Sequence, residues 1–379
     1  MPVEYNGVNM PQQTNYEVWN NELSLDELGR LTPADKLAYL CLLAHLAPSS
    51  HNTQPWRFFI DEASMAITLY LDREFVLPAS DVDGRQAVVS IGCAVENLIC
   101  GANYLGLEPD IKFLTDNREE VKPFLENEPK LTPLVEIKFT EIKPDLNLAK
   151  IIKAIFNRKA VRAEYDPQKS IPEEIIDLIK KIPNEETTKL HTITSSLHRL
   201  GVAEFQSQAD AFVINSPKFS KELGEWLLPN DTTNYVGMPG IGFGLPDDQA
   251  LRMHNGLLGK TLLQPEDGLK FALAGKIGLE KSPLIGIITT TKDDIENWIM
   301  AGRNFEKIFL TLTCNDIQVA VHAGITEVPL IKKIFSATLG TTRFITVLFR
   351  AGYVKKEEDR NRPHSPRLPL AEVMLKNKF

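Results

Sequence analysis

Cysteine is scarce in this chain, with 4 residues among 379. No two of them form a CxxC pair, and so few thiols exclude a disulfide scaffold. We expect each to be a small buried side chain; they are Cys41, Cys93, Cys100 and Cys314. The 7 histidines include no HExxH pair, so we predict no metal site. Any chemistry would then need a borrowed cofactor or a mechanism without metal.

Positive charge is also in short supply, because 42 Lys and Arg stand against 50 Asp and Glu, a formal net charge of −8. This balance excludes a general binder of nucleic acid or anionic membranes, although it allows a local basic pocket. No apolar run reaches the ~18 residues that span a bilayer. The first 22 residues contain neither the basic nor the apolar region of a signal peptide. We expect a cytoplasmic protein with no nucleic-acid or membrane partner.

The clearest periodic segment lies between Asp83 and Leu107, where apolar residues recur every three or four positions. This spacing predicts a long helix buried on most sides, with Gly106 at its C-terminus. Two strand-like segments, 134–142 and 344–349, are rich in strand formers. Residues 134–142 follow this helix, and residues 344–349 follow a second segment with a similar apolar pattern.

The second segment repeats the first at an offset of 218 positions. The matching pairs are Gly84-Arg85 with Gly302-Arg303, Asn97 with Asn315, Ile99 with Ile317, Ala102 with Ala320, and Gly106-Leu107 with Gly324-Ile325. The ordered set includes polar and glycine positions as well as apolar ones, which predicts a duplicated helix. The chain therefore looks like two versions of one α+β unit.

Four other segments complete the expected organisation. Residues 56–60 and 66–71 are typical of a β-hairpin, and 284–290 of a strand. A helix is expected to start near Ser170, the candidate N-cap, with Pro172 in its first turn. The Gly- and Pro-rich run 229–246 is too irregular for regular structure. It is either a solvent loop or a cover over a site, since it still contains apolar residues such as Tyr235 and Phe243.

The polar stretch PSSHNTQPWRF, residues 48–58, contains the side chains best suited to ligand binding. It is expected to leave a helix and enter a strand, and it offers hydroxyls, side-chain amides and backbone donors. Such groups match the edge of a planar heterocycle that alternates donors and acceptors. The alternative is a structural turn held by Asx and Ser hydrogen bonds, and His51 in particular fits a turn.

This stretch resembles the characteristic loop of the FMN-dependent nitroreductase superfamily. FNRKAVR at 156–162, followed by SIP at 170–172, is similar to the RRSxR segment that opens a nitroreductase domain. Gly302-Arg303 and the helix after it resemble the family's central helix. SPRLPLAEV at 365–373 is similar to its phosphate-binding tail. The resemblance covers about residues 36–375 and is weakest over 205–295.

The resemblance implies an α+β, nitroreductase-like fold in which two tandem repeats form an intrachain pseudo-dimer. The loop motif lies in the first repeat, whereas the arginine motifs belong to the second, as in the double-length branch that keeps one composite FMN site. The expected parts are an N-terminal extension (1–35), a first repeat (36–150), and a second repeat (151–379) with a possible lid inserted at about 217–297.

The resemblance also implies the site residues. Contacts with the flavin ring and ribityl chain are implied for Pro48, Ser49, Ser50 and Asn52, and Gln54 and Trp56 are expected to shape the loop. Arg158 and Arg162 would face the pyrimidine edge and the phosphate, and Arg367 would bind the phosphate. Gly324 would allow the backbone to approach the ring closely. Ala160 stands where a serine is usual, so one hydrogen bond to FMN should be missing. Two alternatives stay open: Arg158 and Arg162 as a solvated helix face, and Arg367 in a disordered tail.

The implied function is an FMN-dependent oxidoreductase that passes electrons from NAD(P)H to a small electron-poor acceptor such as a nitroaromatic or quinone. No catalytic acid or base is expected, because the flavin supplies the redox chemistry. One alternative is an FMN-storing flavoprotein whose lid blocks NAD(P)H. Another is an interaction module without cofactor. Either a monomer with an internal pseudo-dimer or a homodimer is expected.

Overall fold

The structure is a computed structural model that describes residues 4–5, 8–9, 14–115, 129–262 and 265–379. Part of the expected N-terminal extension, 1–35, lies outside these residues. The helices are α1 (Leu25–Leu28), α2 (Pro33–His45), α3 (Arg85–Tyr104), α4 (Ala149–Asn157), α5 (Glu173–Lys180), α6 (Ser196–Asn215), α7 (Pro217–Trp226), α8 (Asp247–Leu257), α9 (Pro265–Lys281), α10 (Ile295–Thr313), α11 (Gly324–Glu327), α12 (Pro329–Thr338) and α13 (Leu370–Val373).

Several of the strands follow one another in pairs between these helices, and 3₁₀ turns lie among them. The strands are β1 (Glu4–Tyr5), β2 (Val8–Asn9), β3 (Trp56–Asp61), β4 (Ala66–Asp72), β5 (Leu107–Phe113), β6 (Leu131–Glu141), β7 (Thr188–Ile193), β8 (Leu227–Leu228), β9 (Met238–Pro239), β10 (Leu284–Thr290), β11 (Gln318–Val321), β12 (Phe344–Gly352) and β13 (Met374–Leu375). The predicted α+β class is confirmed.

One compact unit, here called the five-strand unit, consists of residues 15–158, 293–314 and 367–379. Its sheet has the order β13-β3-β4-β6-β5, and its neighbours are antiparallel except for the parallel pair β13 and β3. The predicted hairpin is confirmed, with Trp56 opposite Leu71. Every residue of β4 is buried, so this strand forms the centre of the sheet's packing.

The predicted long buried helix is confirmed as α3, which is followed by Gly106 at φ +77°. It is apolar and long enough to cross a membrane by length and composition alone, but most of it is buried within the protein. Helix α10 of the same unit packs against it. A Cβ on Gly92 or on Gly302 would lie 2.9 Å from the Cα of the other glycine. Only glycine at both positions allows this contact.

Two long helices, α3 and α10, do pack against each other, but the offset of 218 predicted between the repeated segments is wrong. Helix α10 begins 210 residues after Arg85 and ends at Thr313, and Ala320 lies in β11. The two Gly-Arg pairs are not equivalent, because their glycines differ in role. Gly84 is a left-handed N-cap at φ +71°, whereas Gly302 lies inside a helix. Positive φ at Asp316 marks the turn after α10.

The second compact unit, the four-strand unit, includes residues 159–292 and 315–366. Its sheet has the order β11-β12-β10-β7 and is antiparallel throughout. The strand predicted over 284–290 is confirmed with the same bounds. Its core joins helix and strand residues: Val202, Ala203, Leu279, Ile285, Ile287, Ile325, Phe335, Ile345 and Leu348.

Three local predictions need correction. Helix α5 begins at Glu173 and Pro172 occupies the N-cap position, so Ser170 lies too early in the chain to cap it. Cys41 and Cys93 are buried as predicted, but Cys314 is exposed at the end of α10 and Cys100 is only partly covered. Both differ because a helix that packs on one face leaves some small residues at its margin.

The Gly- and Pro-rich run 229–246 folds into the short strand β9 and a 3₁₀ turn at Gly240–Phe243. Its apolar residues pack against α7 and α8 in a small cluster that includes Leu223, Leu227, Met238, Met253 and Leu257. The run is therefore a packed connection. The wider segment 217–297, predicted to contain a possible lid, also includes the central strand β10.

Candidate functional site

The polar loop predicted to join a helix to a strand lies in the five-strand unit, between the end of α2 and the start of β3. Its backbone is tightly turned, with positive φ at His51 (47°), Asn52 (58°) and Gln54 (55°). Ser49 Oγ accepts a hydrogen bond from the Gln54 amide at 3.0 Å. Ser50 Oγ donates to Gln86 Oε1 at 2.5 Å, which ties the loop to the first turn of α3. Residues 48–51 are half-buried and so remain reachable.

A buried histidine fixes the start of this loop. The indole N–H of Trp56 donates to His45 Nδ1 at 2.8 Å, so His45 must be protonated at Nε2. That nitrogen therefore donates to the Leu368 carbonyl at 2.8 Å. Burial lowers the pKa of His45 to about 3, with further lowering by the nearby Arg367 charge. The ring is neutral at neutral pH and links the helix, the strand and the C-terminal segment.

Gln54 makes the second link between the loop and the C-terminal segment. Its Oε1 accepts a hydrogen bond from the Leu368 amide at 2.9 Å, and its Nε2 donates to the Asn52 carbonyl at 3.3 Å. The side chain is fully buried. These contacts hold the loop in one conformation, which agrees with the shaping role that the resemblance implies for Gln54 and Trp56.

Arg367 is buried to 2% exposure, which contradicts its alternative placement in a disordered tail. Its Nε donates to the His45 carbonyl at 3.2 Å and its Nη2 to the Ala47 carbonyl at 2.9 Å. Its Nη1 donates to Asn52 Oδ1, and the guanidinium lies 4.8 Å from the ring centre of Trp19. A cation at the C-terminal carbonyls of α2 is favoured by the helix dipole.

Arg158 does not belong to a solvated helix face, because α4 ends at Asn157 and Arg158 is extended and 3% exposed. Its Nε lies 3.1 Å from Oε1 of the fully buried Glu306, and its guanidinium contacts the ring of Phe309 at 5.2 Å. Its Nη2 donates to the Leu46 carbonyl. Arg367 Nη2 lies 3.4 Å from that same carbonyl, so the structure brings the two arginines together.

Two buried cations and a buried carboxylate meet at this point of the loop. Arg158 and Arg367 contribute the cations, and the Glu306 carboxylate pairs with Arg158 and lies close enough to Arg367 to affect its pKa. Burial, together with the charge of Arg158, lowers the pKa of Arg367, while burial raises the pKa of Glu306 to about 7. Two guanidinium groups with one carboxylate suit an added anion that has several acceptor oxygens. The donor set therefore fits a phosphate group.

Ala160 and Arg162 lie in the four-strand unit, where they line a small cleft of about 30 Å³. The Arg162 guanidinium is stacked on Phe243, 4.5 Å from the ring centre. Burial lowers the pKa of Arg162 to about 10 and that of Lys159 to about 8. No described lining residue is acidic: they are Lys159, Ala160, Arg162, Met238, Pro239, Ile241, Gly242, Phe243, Pro363, His364 and Ser365.

Gly324 was predicted to end the second central helix, and this placement is wrong. It instead begins the short helix α11 after β11. A Cβ there would lie 2.6 Å from Gln206 Nε2 and 2.7 Å from Asp210 Oδ1, both on α6. Packing against α6 therefore explains the glycine without any ligand.

Glu306 was missed at the sequence level. It lies in the run IMAGRNFEKIFL, on the face that also carries Ile299, Gly302 and Phe309 at helical spacing. A lone acid on an apolar helix face is the signal that could have identified it, because a buried carboxylate needs a partner. Lys159 was likewise passed over, although it stands at the second basic position of the RRSxR-like segment.

No protein-family model matches the chain. The chain is 23% identical over 342 residues to "Putative NAD(P)H nitroreductase Rv3131" of Mycobacterium tuberculosis strain H37Rv, covering 90% of this chain and 91% of that protein. Shorter matches reach "Uncharacterized protein Rv3127" (44% over 59 residues) and "Putative NAD(P)H nitroreductase acg" (42% over 55 residues) of the same strain. These two matches span only 17% and 16% of those relatives.

Among solved structures, a putative nitroreductase from Anabaena variabilis aligns with 93% of this chain and 94% of its own, at 10% identity and a TM-score of 0.49. The FMN-dependent nitroreductase NfnB from Mycobacterium smegmatis, solved with NADPH, aligns with 62% of this chain and 99% of its own, at 19% identity and a TM-score of 0.39. Over nine-tenths of its length, the chain is thus similar in sequence to a protein named as a nitroreductase.

Proposed function

We propose that this protein is an FMN-dependent oxidoreductase of the nitroreductase type. It would take electrons from NAD(P)H and pass them to a small electron-poor acceptor such as a nitroaromatic or a quinone. The full-length similarity to Rv3131 supports the activity class. The double-length arrangement, two repeats in one chain, is part of the same proposal and is supported by two sheets and two long packed helices.

The observation that carries the proposal is the pair of buried guanidinium groups at the loop, Arg158 and Arg367, which share the Leu46 carbonyl while Arg158 also pairs with the Glu306 carboxylate. This set would hold the phosphate of FMN. The half-buried loop residues Pro48, Ser49 and Ser50 would line the ring and ribityl chain. Contacts of Ala160, Arg162 and Gly324 with FMN rest on the resemblance alone.

Once bound, FMN supplies the redox chemistry by accepting hydride and donating electrons onward. The protein's part is to bind and orient it. Arg158 and Arg367 fix the anionic end, and the turned backbone at residues 51–54 presents polar groups at a rigid position. We assign no side chain as a catalytic acid or base.

The proposal is tested by purifying the protein and identifying any released chromophore. A yellow preparation that releases FMN supports the proposal, whereas a colourless protein that does not take up FMN favours the interaction module. Anaerobic stopped-flow mixing of the loaded protein with NADPH and with NADH then follows the flavin absorbance. Fast bleaching, followed by recovery on addition of a nitrofuran or benzoquinone, is the expected result.

A second candidate function is FMN storage, and the packing of the four-strand unit favours it. The 3₁₀ turn at Gly240–Phe243 lies against Lys159, Ala160 and Arg162, the segment that the resemblance assigns to the cofactor. A cover at this position would restrict nicotinamide access. Flavin that is retained but not bleached by either nucleotide would support storage and overturn the reductase.

The localisation, the macromolecular partners and the oligomeric state are also proposals. We propose a cytoplasmic protein without nucleic-acid or membrane partners, as the charge balance suggests. It would be a monomer or a homodimer, and size-exclusion chromatography with light scattering distinguishes the two.

A further inference from the structure

The buried pair Arg158 and Glu306 presents an electrostatic problem that the protein has to solve before any ligand binds. Arg158 and Arg367 both approach the Leu46 carbonyl, so two like charges lie close together inside the five-strand unit. Buried cations without a counter-charge are strongly destabilising. Proximity to Arg158 is itself one of the causes that lower the pKa of Arg367.

Glu306 is the residue positioned to relieve this repulsion. Its side chain is fully buried, and its Oε1 lies 3.1 Å from Arg158 Nε. Charged and polar groups on each neighbouring element face it: Arg158 after α4, Asn97 and Glu96 on α3, and Arg367 in the C-terminal segment. Both the charge of Arg158 and a hydrogen bond from the Asn97 side chain favour the ionised form of Glu306.

We propose that Glu306 is a positioning residue that stands in for a bound phosphate: its carboxylate holds Arg158 beside Arg367 before the anion arrives. The two guanidinium groups are thereby preorganised at the loop. This inference rests on the proposed function for the identity of the anion, FMN phosphate, but its electrostatic part can be measured without FMN.

Helix α3 supplies a matched control. Glu96 lies 210 positions before Glu306, as Gly92 lies 210 before Gly302. Its Oε2 is 3.1 Å from Arg303 Nε, the same separation as in the first pair. Arg303 is 21% exposed at its side chain, and it contacts Glu96 and Met300. Glu96→Gln therefore makes the same chemical change in the same helix pair, at a carboxylate that pairs with Arg303 and not with Arg158.

The test measures the melting temperature of wild type, Glu306→Gln and Glu96→Gln at about pH 8, where the Glu306 carboxylate is ionised. Each protein is measured with and without inorganic phosphate, and sodium chloride at matched ionic strength controls for screening. We expect Glu306→Gln to melt roughly 5 °C lower than wild type. Phosphate should restore most of that loss in Glu306→Gln and little of any loss in Glu96→Gln. An equal phosphate response in all three proteins would overturn the inference.

A second variant covers the case in which Glu306→Gln does not fold. The double variant Arg158→Gln/Glu306→Gln removes both charges, so it should fold, melt above Glu306→Gln and lose the phosphate response. A double variant as unstable as the single one would show that Glu306 acts through packing, and would overturn the inference.

Binding measurements separate this inference from the proposed function. Apoprotein is titrated with FMN and with riboflavin, which lacks the phosphate. If wild type binds neither flavin but phosphate rescues Glu306→Gln, the positioning role stands and the proposed function fails. If wild type binds FMN but Glu306→Gln shows no phosphate rescue, the proposed function stands and the positioning role fails.

Discussion

Gly92 of α3 and Gly302 of α10 face each other across the helix pair, and a Cβ on either would lie 2.9 Å from the Cα of the other. Each would also overlap a backbone carbonyl of the facing helix, at Ile299 and Val89 respectively. Val89 and Ile299 are separated by the same 210 positions as the two glycines. The contact is therefore reciprocal, as expected when two copies of one helix meet about a pseudo-twofold axis.

Gly302→Ala should destabilise the protein, because the added methyl group forces the two helix backbones apart. We expect a loss of about 1–3 kcal/mol in the free energy of unfolding, measured by urea denaturation. Gly201→Ala is the control, since a Cβ there meets nothing within 4 Å and the residue lies inside helix α6. That variant should gain roughly 0.5–1 kcal/mol from helix propensity. Equal effects at both positions would refute the close contact.

His45 should make the protein less stable in acid. Its pKa in the folded state is about 3, against about 6.5 in the unfolded chain. Between these values the unfolded state binds the extra proton, so stability falls as pH decreases below about 6.5. At about pH 5 this residue alone should cost about 2 kcal/mol relative to neutral pH.

His45→Gln tests this pH dependence. Glutamine can still accept from Trp56 and donate to the Leu368 carbonyl, but it does not titrate. The difference in urea midpoint between about pH 7.5 and about pH 5 should therefore shrink in the variant. An unchanged difference would show that other groups, such as the half-buried His322, whose pKa is also lowered by burial, account for the whole acid effect.

Arg367→Ala should weaken FMN binding by more than tenfold, because it removes charge-assisted hydrogen bonds worth ~1.5–3 kcal/mol. Riboflavin distinguishes two causes. If Arg367 contacts the phosphate, riboflavin affinity should change little, whereas loss of the loop conformation alone would weaken both flavins alike. Arg360→Ala, at a more exposed arginine paired with Glu357, is the control and should leave both affinities unchanged.

Phe243→Ala should speed the reduction of bound flavin by NADPH if the turn at 240–243 restricts access to the cofactor. The ring is stacked on Arg162 and lines the cleft, so its removal widens the opening. Leu251→Ala, 49% exposed on α8, is the control. Stopped-flow rates that are equal in Phe243→Ala and wild type would argue against a cover at this position.

Elements with a strong periodic pattern could be predicted from the sequence, and those set by tertiary contact could not. Helix α3 and strand β10 carry clear apolar patterns, and both appear where they were predicted. The offset predicted between the two repeated segments was wrong because a glycine-arginine pair has the same sequence whether the glycine caps a helix or contacts another helix. The amino-acid sequence alone does not distinguish the backbone at Gly84, with φ +71°, from the helical backbone at Gly302.

Only part of the candidate site could be predicted from the sequence, for a similar reason. The loop at 48–58 is local, and its motif is contiguous. In contrast, the pairing of Arg158 with Glu306 joins residues 148 positions apart, and nothing in either local sequence specifies the partner. Arg367 was expected at a phosphate, yet its protein contacts, the carbonyls at the end of α2, depend on how the last segment returns to the first helix.

The contact of Arg367 with the carbonyls of His45 and Ala47 closes a loop of more than 300 residues. Such a closure is entropically unfavourable, and long-range contacts of this kind form slowly. The α2 carbonyls and the buried side chains of Gln54 and His45 thus depend on the most distant segment of the five-strand unit. The loop should reach its final conformation only when the C-terminal segment has docked on the end of α2. Competence to bind an anionic ligand at Arg158 and Arg367 would then report complete folding of the unit.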